Sequence, residues 1–374
     1  MSQVLGTTTW ASAATLPSTG LALPAAVIAL QGSAMAINTQ TAYRSDWSSF
    51  ARWCRLYGHQ PIPADPATVC IYLAELAERI RADGSPAVAP STIGRRLAAI
   101  TKMHELAGHT SPTRHPAVTT TMAGIRRRHR RPTRRMAPLM LTDLRAVLER
   151  IELTVFPAAM IGRRDAALLT MGFAGAFRRS ELAQLVIADV SRHPEDGLHI
   201  RLRHSKTDQE GRGAIRALPY GRHPQTCPPC AWTRWLAVLS AYTEDGRVGI
   251  LRELRRGTDV GTHVCRNVVP QLPMPPADAA AFRPVHKIGL PGSGPVTGHA
   301  INLVVKKRAA AAGLDPADFG GHSLRAGFVT QAVRAGADAG SIMRQSGHRS
   351  SSMVEVYRRE NAPLVGNAVT RIDL

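Results

Sequence analysis

Near the C-terminus, residues 321–325 read GHSLR, residues 346–348 read SGH and residues 354–357 read VEVY. Upstream of them, residues 177–182 read FRRSEL. These four stretches place arginines, two histidines and a tyrosine at short, fixed spacings. Each residue alone is ordinary, since a lone tyrosine is usually half buried with its hydroxyl on a backbone carbonyl. The ordered set as a whole is what predicts the fold and the chemistry of this chain.

These residue types suit the breaking and rejoining of a phosphodiester. A side-chain oxygen that attacks such a bond creates a pentavalent state with extra negative charge, which guanidinium groups stabilise because they stay protonated. His322 and Arg325 lie three residues apart on a predicted helix, so they share one face. Gly347 is placed to end the next predicted helix in a left-handed conformation and to present His348 at its tip. Tyr357 follows nine residues later.

The charge of the chain indicates a polyanionic partner. Its 374 residues carry 47 Lys and Arg against 27 Asp and Glu, a formal net charge of +20, which favours nucleic acid. The five cysteines are odd in number and scattered, which predicts a reducing cytoplasm rather than a disulfide framework. No apolar run reaches the roughly 18 residues that span a bilayer, so no membrane partner is expected.

A run of arginines divides the chain. Residues 1–36 are rich in Ser, Thr, Ala and Pro and predict a flexible tail that is not a signal peptide. Residues 37–125 predict four or five helices from their apolar spacing, one of them capped by Asp65 or Thr68. Residues 126–138 are predicted to form a linker that phosphates attract, because each guanidinium in this run would need its own partner if it were buried.

A second block, 139–374, is predicted to be mostly helical with one small β-hairpin. Apolar and polar residues alternate over 198–203, a Gly-containing turn follows, and 214–220 completes the hairpin. Residues 243–296 are rich in Pro, Gly and Arg and are predicted to be mostly loop. Further helices are predicted over 297–312, 322–334 and 339–345, and another is predicted to carry Tyr357.

The order Arg, Lys, His-x-x-Arg, His, Tyr resembles that of the tyrosine recombinases of the phage integrase family, especially their Cre-like members. The resemblance covers the chain from about residue 38 to the end. It implies a mainly α fold with a small β-sheet (α+β), in which two domains form a C-shaped clamp on DNA. The helical core-binding (SAM-like) domain would be 37–125 and the integrase-type catalytic domain 139–374, with the tail 1–36 and the linker 126–138 outside them.

Matched by position, the resemblance assigns a role to each site residue. The six catalytic residues are Arg178, Lys206, His322, Arg325, His348 and Tyr357. Tyr357 matches the nucleophile, Lys206 the residue that protonates the departing 5′ oxygen, and Glu181 an acidic residue that supports the site. The arginines expected to contact DNA are Arg126, Arg127, Arg128, Arg130, Arg131, Arg134, Arg135 and Arg179.

The implied function is site-specific recombination of double-stranded DNA through a 3′-phosphotyrosine intermediate, without ATP, metal or other cofactor. The partners would be DNA with an inverted-repeat site and three further copies of the chain, which would be monomeric free in solution. A cytoplasmic, nucleoid-associated enzyme encoded by a bacterium, phage or mobile element would fit. Two alternatives stay open: DNA relaxation as by a type IB topoisomerase, and a non-enzymatic sequence-specific DNA-binding protein.

A group of cysteines and histidines raises the question of metal binding. Cys227 and Cys230 have the CxxC spacing of zinc ligands, and His223, His263 and Cys265 offer further donors. No second CxxC is present. Two prolines between the cysteines, at a turn before a predicted helix, explain the motif more simply. The sequence prediction is therefore that the chain holds no metal.

Overall fold

The computed structural model describes Met35 and residues 37–130, 135–203, 213–256, 260–266 and 273–372. It falls into two compact units, Met1–Thr133 and Arg134–Leu374. Both units are built mainly from helices, and the C-terminal unit adds one three-stranded antiparallel sheet. The predicted fold class is therefore confirmed. No helix in the described ranges is long and apolar enough to cross a membrane.

Four α-helices form the described part of the N-terminal unit. They are α1 (Ile37–Leu56), α2 (Pro66–Glu78), α3 (Pro90–Leu106) and α4 (Pro116–Arg128), with a 3₁₀ turn at Pro112–Arg114. Proline opens three of them, which suits a position whose backbone N–H has no partner within the helix. The predicted cap of α2 is confirmed, because the Asp65 carboxylate accepts a hydrogen bond from the Ala67 N–H at 2.7 Å.

Aromatic side chains fill the core of this unit. Phe50 and Tyr72 are buried with ring centroids 5.1 Å apart, and the Trp53 ring lies 5.2 Å from that of Tyr72. The aromatic side chains of α1 therefore pack against α2. The buried carboxylate of Asp46 is paired with Arg95 at 2.7 Å, as a buried charge requires.

The C-terminal unit carries eight α-helices and three strands in its described residues. The helices are α5 (Leu141–Glu149), α6 (Ala158–Ala174), α7 (Arg179–Gln184), α8 (Pro228–Arg255), α9 (Gly298–Ala311), α10 (Ser323–Arg334), α11 (Ala339–Ser346) and α12 (Ser351–Asn361). The strands are β1 (Val190–His193), β2 (Gly197–Leu202) and β3 (Ala214–Leu218). The predicted helices at 297–312, 322–334 and 339–345 and the helix around Tyr357 are confirmed to within about two residues, the usual uncertainty of helix ends.

The sheet has the strand order β1-β2-β3 and is antiparallel throughout. The predicted hairpin strands are confirmed, with Leu198 opposite Leu218 and Leu202 opposite Ala214. Strand β1 was not predicted, because its four residues, VSRH, are mostly polar and too short to show alternation. The hairpin turn, with Lys206, lies in 204–212, outside the described residues.

The prediction of loop over 243–296 is wrong for its first part, because α8 continues to Arg255. The helix is interrupted where Gly246 adopts a positive φ of 52°, and it resumes with Ile250 and Leu254 buried in the core. The sequence did not predict this second half of α8, because glycine and charged residues interrupt its apolar periodicity. The described residues 273–296 form only isolated β-bridges, such as Val186 with Ala280.

Helix α6 is the centre of the C-terminal unit. It is buried along nearly its whole length and packs against α8 and α10. Trp235 of α8 is fully buried and donates its indole N–H to the Ala281 carbonyl at 2.8 Å. The one buried carboxylate of α6, Asp165, accepts from Arg164 at 2.6 Å and from Arg308 at 2.7 Å. This framework holds the ends of α6, α10 and α11 close together.

Candidate active site

Five of the six predicted catalytic residues converge on one site in the C-terminal unit. They come from four places in the fold: Arg178 precedes α7, His322 and Arg325 open α10, His348 follows α11, and Tyr357 lies on α12. Lys206, the sixth, lies outside the described residues.

Tyr357 and His322 form the contact at the centre of the site. His322 Nε2 lies 2.8 Å from the Tyr357 hydroxyl oxygen, a hydrogen-bond distance. Tyr357 is only 5% exposed, and the centroid of the His348 ring is 5.8 Å from that of its own ring. The phenol is thus held between two imidazoles, and one of them can take its proton.

The environment keeps both imidazoles neutral at physiological pH. Burial, followed by the positive charges of Arg325, Arg135 and Arg178, lowers the pKa of His322 below its usual value. Burial and Arg325 lower the pKa of His348 to about 4. A neutral imidazole accepts a proton, which is what a general base at His322 requires.

The same burial keeps Tyr357 protonated in the resting site. It raises the pKa of Tyr357, and the nearby guanidinium of Arg325 offsets only part of that effect. An unperturbed tyrosine has a pKa of about 10, so a tyrosine that acts as a nucleophile at neutral pH needs a base to take its proton. His322, at hydrogen-bond distance from the hydroxyl, is placed where it could take that proton.

Arg325 has a buried N–H donor that makes no hydrogen bond with the described residues. It is 2% exposed, and its Nη1 donates to the carbonyls of Ala176, at 2.8 Å, and Ser346. Its Nη2 has no hydrogen-bond partner among the described residues. Burial lowers its pKa to about 10, so it remains charged at neutral pH. An unpaired buried donor is costly, and an anionic ligand would satisfy it.

Arg178 is positioned by Glu181, as a supporting role for that carboxylate requires. Glu181 is buried and accepts from both the backbone N–H of Arg178, at 2.8 Å, and its Nη1, at 2.6 Å. This capping interaction starts α7 and fixes the side chain of Arg178, whose exposed fraction is 22%. Arg179, which the sequence predicted to contact DNA, is exposed at the first position of α7.

Arg216 is a residue of the site that the sequence pattern did not reveal. It is buried on β3, and its guanidinium lies 3.4 Å from the Glu181 carboxylate. It donates to the carbonyls of Gly175 at 2.7 Å and Ser346 at 3.2 Å. The sequence gives one sign that Arg216 is buried, which is its position among the inward-facing residues of β3. Arginine is so common in this chain that its residue type gives no further indication.

Two turns with positive φ shape the site. Ala176, at φ 47°, is a non-glycine residue in the left-handed region, which stores strain of order 1–3 kcal/mol and aims its carbonyl at Arg325. Gly347 ends α11 with φ 67° and ψ 34°, which confirms the predicted left-handed end of that helix. His348 then follows, with Nδ1 held by the Ser346 hydroxyl at 2.8 Å.

The basic run enters the structure as part of a helix. Arg126, Arg127 and Arg128 are exposed on the last turn of α4, and Arg130 is exposed just after it. Arg131 and Arg134 lie outside the described residues. Arg135 begins the described part of the C-terminal unit and pairs with Glu360 on α12 at 3.0 Å.

A second cluster of reactive side chains lies elsewhere in the C-terminal unit. Cys227, Cys230, His263 and Cys265 have their donor atoms within 4.8 Å of one another. His223, also a candidate in the sequence, is not among the residues that the structure groups here. Of the candidate donors, then, four converge in a way that suits a metal ion.

Comparison with known proteins identifies the family. Residues 286–363 match the model of the phage integrase family. The integrase/recombinase XerD homologue of Selenomonas ruminantium is 32% identical over 338 residues, which cover 90% of this chain and 85% of that protein. The chain belongs to the phage integrase family, the tyrosine recombinases. This confirms the resemblance that the sequence predicted.

Solved structures of tyrosine recombinases resemble the fold of this one. The XerH site-specific recombinase bound to its difH substrate has a TM-score of 0.49 and 14% identity, over 92% of this chain and 82% of that one. A lambda integrase dimer bound to a COC′ core site has a TM-score of 0.48 and 13% identity, over 89% and 92%. Because the chain belongs to the tyrosine recombinases, which are enzymes that cleave and rejoin DNA, the family match favours neither a topoisomerase nor a non-enzymatic protein.

Proposed function

We propose that this tyrosine recombinase cleaves DNA with Tyr357, through a 3′-phosphotyrosine intermediate, in site-specific recombination. The observation that carries the proposal is the 2.8 Å contact between His322 Nε2 and the Tyr357 hydroxyl beside the unpaired Nη2 of Arg325. A base, a nucleophile and a charged donor thus occupy one site. This is the minimum that attack on a phosphodiester requires.

In the proposed step, the Tyr357 oxygen bonds to phosphorus while its proton passes to His322. Arg325 and Arg178 donate to the non-bridging oxygens, where negative charge builds up. The bond from phosphorus to the 5′ oxygen breaks, and Lys206 gives that oxygen a proton. A 5′ hydroxyl of the partner strand then attacks the phosphotyrosine and gives its proton to Lys206, while Tyr357 leaves with the proton that His322 returns. One phosphodiester replaces another, so the cycle needs no ATP.

The first test compares the wild-type protein with Tyr357→Phe on a DNA substrate nicked near the cleavage point, taken from the flanks of the protein's own gene. The nick lets the cleaved end diffuse away, so that covalent complex accumulates and survives SDS. We expect a covalent band with the wild type and none with Tyr357→Phe. Equal bands from both proteins would contradict the role of Tyr357.

We further propose that the protein acts as a homotetramer on two DNA sites with inverted repeats, and that the free chain is a monomer in the cytoplasm. Two sites with two cleavage points each need four nucleophiles. Residues 37–125 would be the core-binding domain, 139–374 the catalytic domain, and 126–138 the basic linker between them. The exposed arginines at the end of α4 would contact phosphates.

The segment after α12 would join neighbouring protomers. Leu364, Val369 and Ile372 are exposed in the single chain, whereas Val365 is partly buried against the cluster around Val354. Exposed apolar side chains at the end of a chain suit a partner surface. Truncation after Asn361 should therefore leave DNA binding intact and remove tetramers.

The control is a substitution of an exposed apolar residue elsewhere, Ile288→Ser, which should leave assembly unchanged. Native mass spectrometry of the complex with DNA counts the protomers. A tetramer that persists in the truncated protein would overturn the proposed contact.

A further inference from the structure

Three thiols and an imidazole meet in a buried cluster that takes no part in the proposed reaction. Cys227 and Cys230 lie at the start of α8, and His263 and Cys265 lie in the segment 260–266 that follows it. All three cysteines are at most 1% exposed, and His263 is half buried. The two pairs are far apart in sequence, so the fold itself brings them together.

The spacing of the donor atoms matches a tetrahedral metal site. Zinc bonds of about 2.3 Å to sulfur and 2.0 Å to nitrogen put neighbouring ligand atoms roughly 3.5–3.8 Å apart at tetrahedral angles. Cys227 Sγ lies 3.9 Å from Cys265 Sγ. His263 Nδ1 lies 3.3 Å from Cys230 Sγ and 3.9 Å from Cys265 Sγ. These separations leave room for one ion at the centre.

We propose that Cys227, Cys230, His263 and Cys265 bind one zinc ion in a structural Cys₃His site. The proposal revises the expectation, drawn from the sequence, that the chain holds no metal. Four protein donors fill the tetrahedral sphere of zinc and leave no position for a water or a substrate. The site is therefore a fold-stabilising one, independent of the recombination chemistry.

Groups around the four donors are placed as in known zinc sites. His263 presents Nδ1 to the sulfurs, while its other nitrogen, Nε2, lies 3.4 Å from the Arg222 carbonyl oxygen. A ligating histidine commonly donates its second N–H to such a carbonyl, which fixes the tautomer. The Gly221 N–H donates to Cys227 Sγ at 3.2 Å, which stabilises a thiolate.

The segment that carries His263 is also held from the side of α8. Arg234 donates to the Thr262 carbonyl at 2.9 Å, so the segment and the helix are joined at a second point. A zinc ion would tie this segment to the first turn of α8. A Cys227–Cys265 disulfide would use only two of the four donors and would leave the convergence of Cys230 and His263 unexplained.

The test measures zinc in protein that is purified under reducing conditions without a chelating resin. We expect about one zinc per chain in the wild type, as for other structural sites, and a trace in Cys230→Ser and in His263→Ala. The matched control is Cys70→Ser, which removes a half-buried cysteine of the N-terminal unit and should leave the zinc in place. The double variant His193→Ala/His199→Ala changes the second group of possible metal ligands and should also retain the zinc.

A wild-type protein that contains no zinc and takes up none when its stripped form is titrated with Zn²⁺ would overturn the proposal. So would zinc that survives both cluster substitutions. Should the variants fail to fold, Co²⁺ added to the stripped wild type decides the matter. Thiolate-to-cobalt charge transfer with the intense visible bands of tetrahedral Co²⁺ supports the site, and weak octahedral bands contradict it.

Discussion

At the scale of single residues, the proposed mechanism depends on a histidine that stays neutral. Burial and three arginines lower the pKa of His322, and His348, with a pKa of about 4, stays neutral over the same range. A base works only in its unprotonated form. If the cleavage rate falls between neutral pH and pH 5, the protonation of His322 rather than that of His348 would therefore explain the fall.

We predict that the rate of single-turnover cleavage is flat around neutral pH and falls on acidification, with a midpoint below the usual histidine value of about 6.5. The sign follows from the lowered pKa, since protonation removes the base only as the pH drops through it. His322→Ala should lower the rate by about 10²–10⁴-fold. Quench-flow on a nicked substrate measures both, and a rate that rises with acidity would mean that His322 acts as an acid instead.

Arg216 shows what one buried residue does for its neighbours. Its guanidinium joins Glu181 to the carbonyls of Gly175 and Ser346. Arg216→Gln should lower the free energy of unfolding by about 1–3 kcal/mol, because buried acceptors lose their donor. Arg201→Gln, at an exposed position on β2, should change it by less than about 0.5 kcal/mol. Urea denaturation followed by circular dichroism compares the two, and equal losses would mean that Arg216 organises nothing.

At the scale of elements, the left-handed end of α11 aims His348. A Cβ at Gly347 would lie 2.9 Å from Nη2 of Arg216, whereas one at Gly336, which ends α10 at φ 80°, meets nothing within 4 Å. At both positions the backbone has a positive φ, which costs a residue with a Cβ roughly 1–2 kcal/mol. Substitutions at the two glycines can therefore distinguish the effect of backbone strain from the effect of a steric clash with Arg216.

We predict that Gly347→Ala and Gly336→Ala lower the free energy of unfolding by similar amounts, but that only Gly347→Ala slows cleavage by an order of magnitude or more. The crowded methyl group displaces Arg216 and, through the Ser346 carbonyl, disturbs Arg325 as well. Thermal melts and single-turnover cleavage rates are the measurements. Equal cleavage rates in the two variants would show that the turn matters for stability alone.

The elements also show how far the sequence alone could go. The helices that carry His322, Arg325 and Tyr357 were predictable because the spacing of their apolar residues marks them locally. The second half of α8 was not, since Gly246 and its charged neighbours hide the buried face of Ile250 and Leu254. The partners of Arg325 were equally out of reach, because backbone carbonyls such as that of Ala176 leave no trace in the sequence.

At the scale of the whole molecule, the net charge of +20 makes affinity for DNA depend on salt. We propose that the exposed arginines that end α4 contribute to this general attraction rather than to the reaction. Such side chains release counterions when they bind phosphates, and each one contributes about 0.9 to the slope of log K against log salt. They carry no sequence information by themselves.

We predict that replacing Arg126, Arg127 and Arg128 by Gln weakens binding to specific and non-specific DNA alike. It should also reduce that slope by about one for each phosphate that the variant no longer neutralises. The structural reason is their exposure on one helical turn. Fluorescence anisotropy at several salt concentrations measures the slope, and Arg145→Gln on the exposed side of α5 is the control. An unchanged slope in the triple variant would place the DNA on another surface.

The proposed mechanism requires that Tyr357 becomes bonded to the 3′ end of cleaved DNA. The covalent complex trapped on a nicked substrate can be digested with trypsin and nuclease and its linked peptide sequenced by mass spectrometry. We predict a nucleotide on the peptide that contains Tyr357, joined through its 3′ phosphate, and a free 5′ hydroxyl on the other end. A nucleotide on any other residue, or a link through a 5′ phosphate, would contradict it.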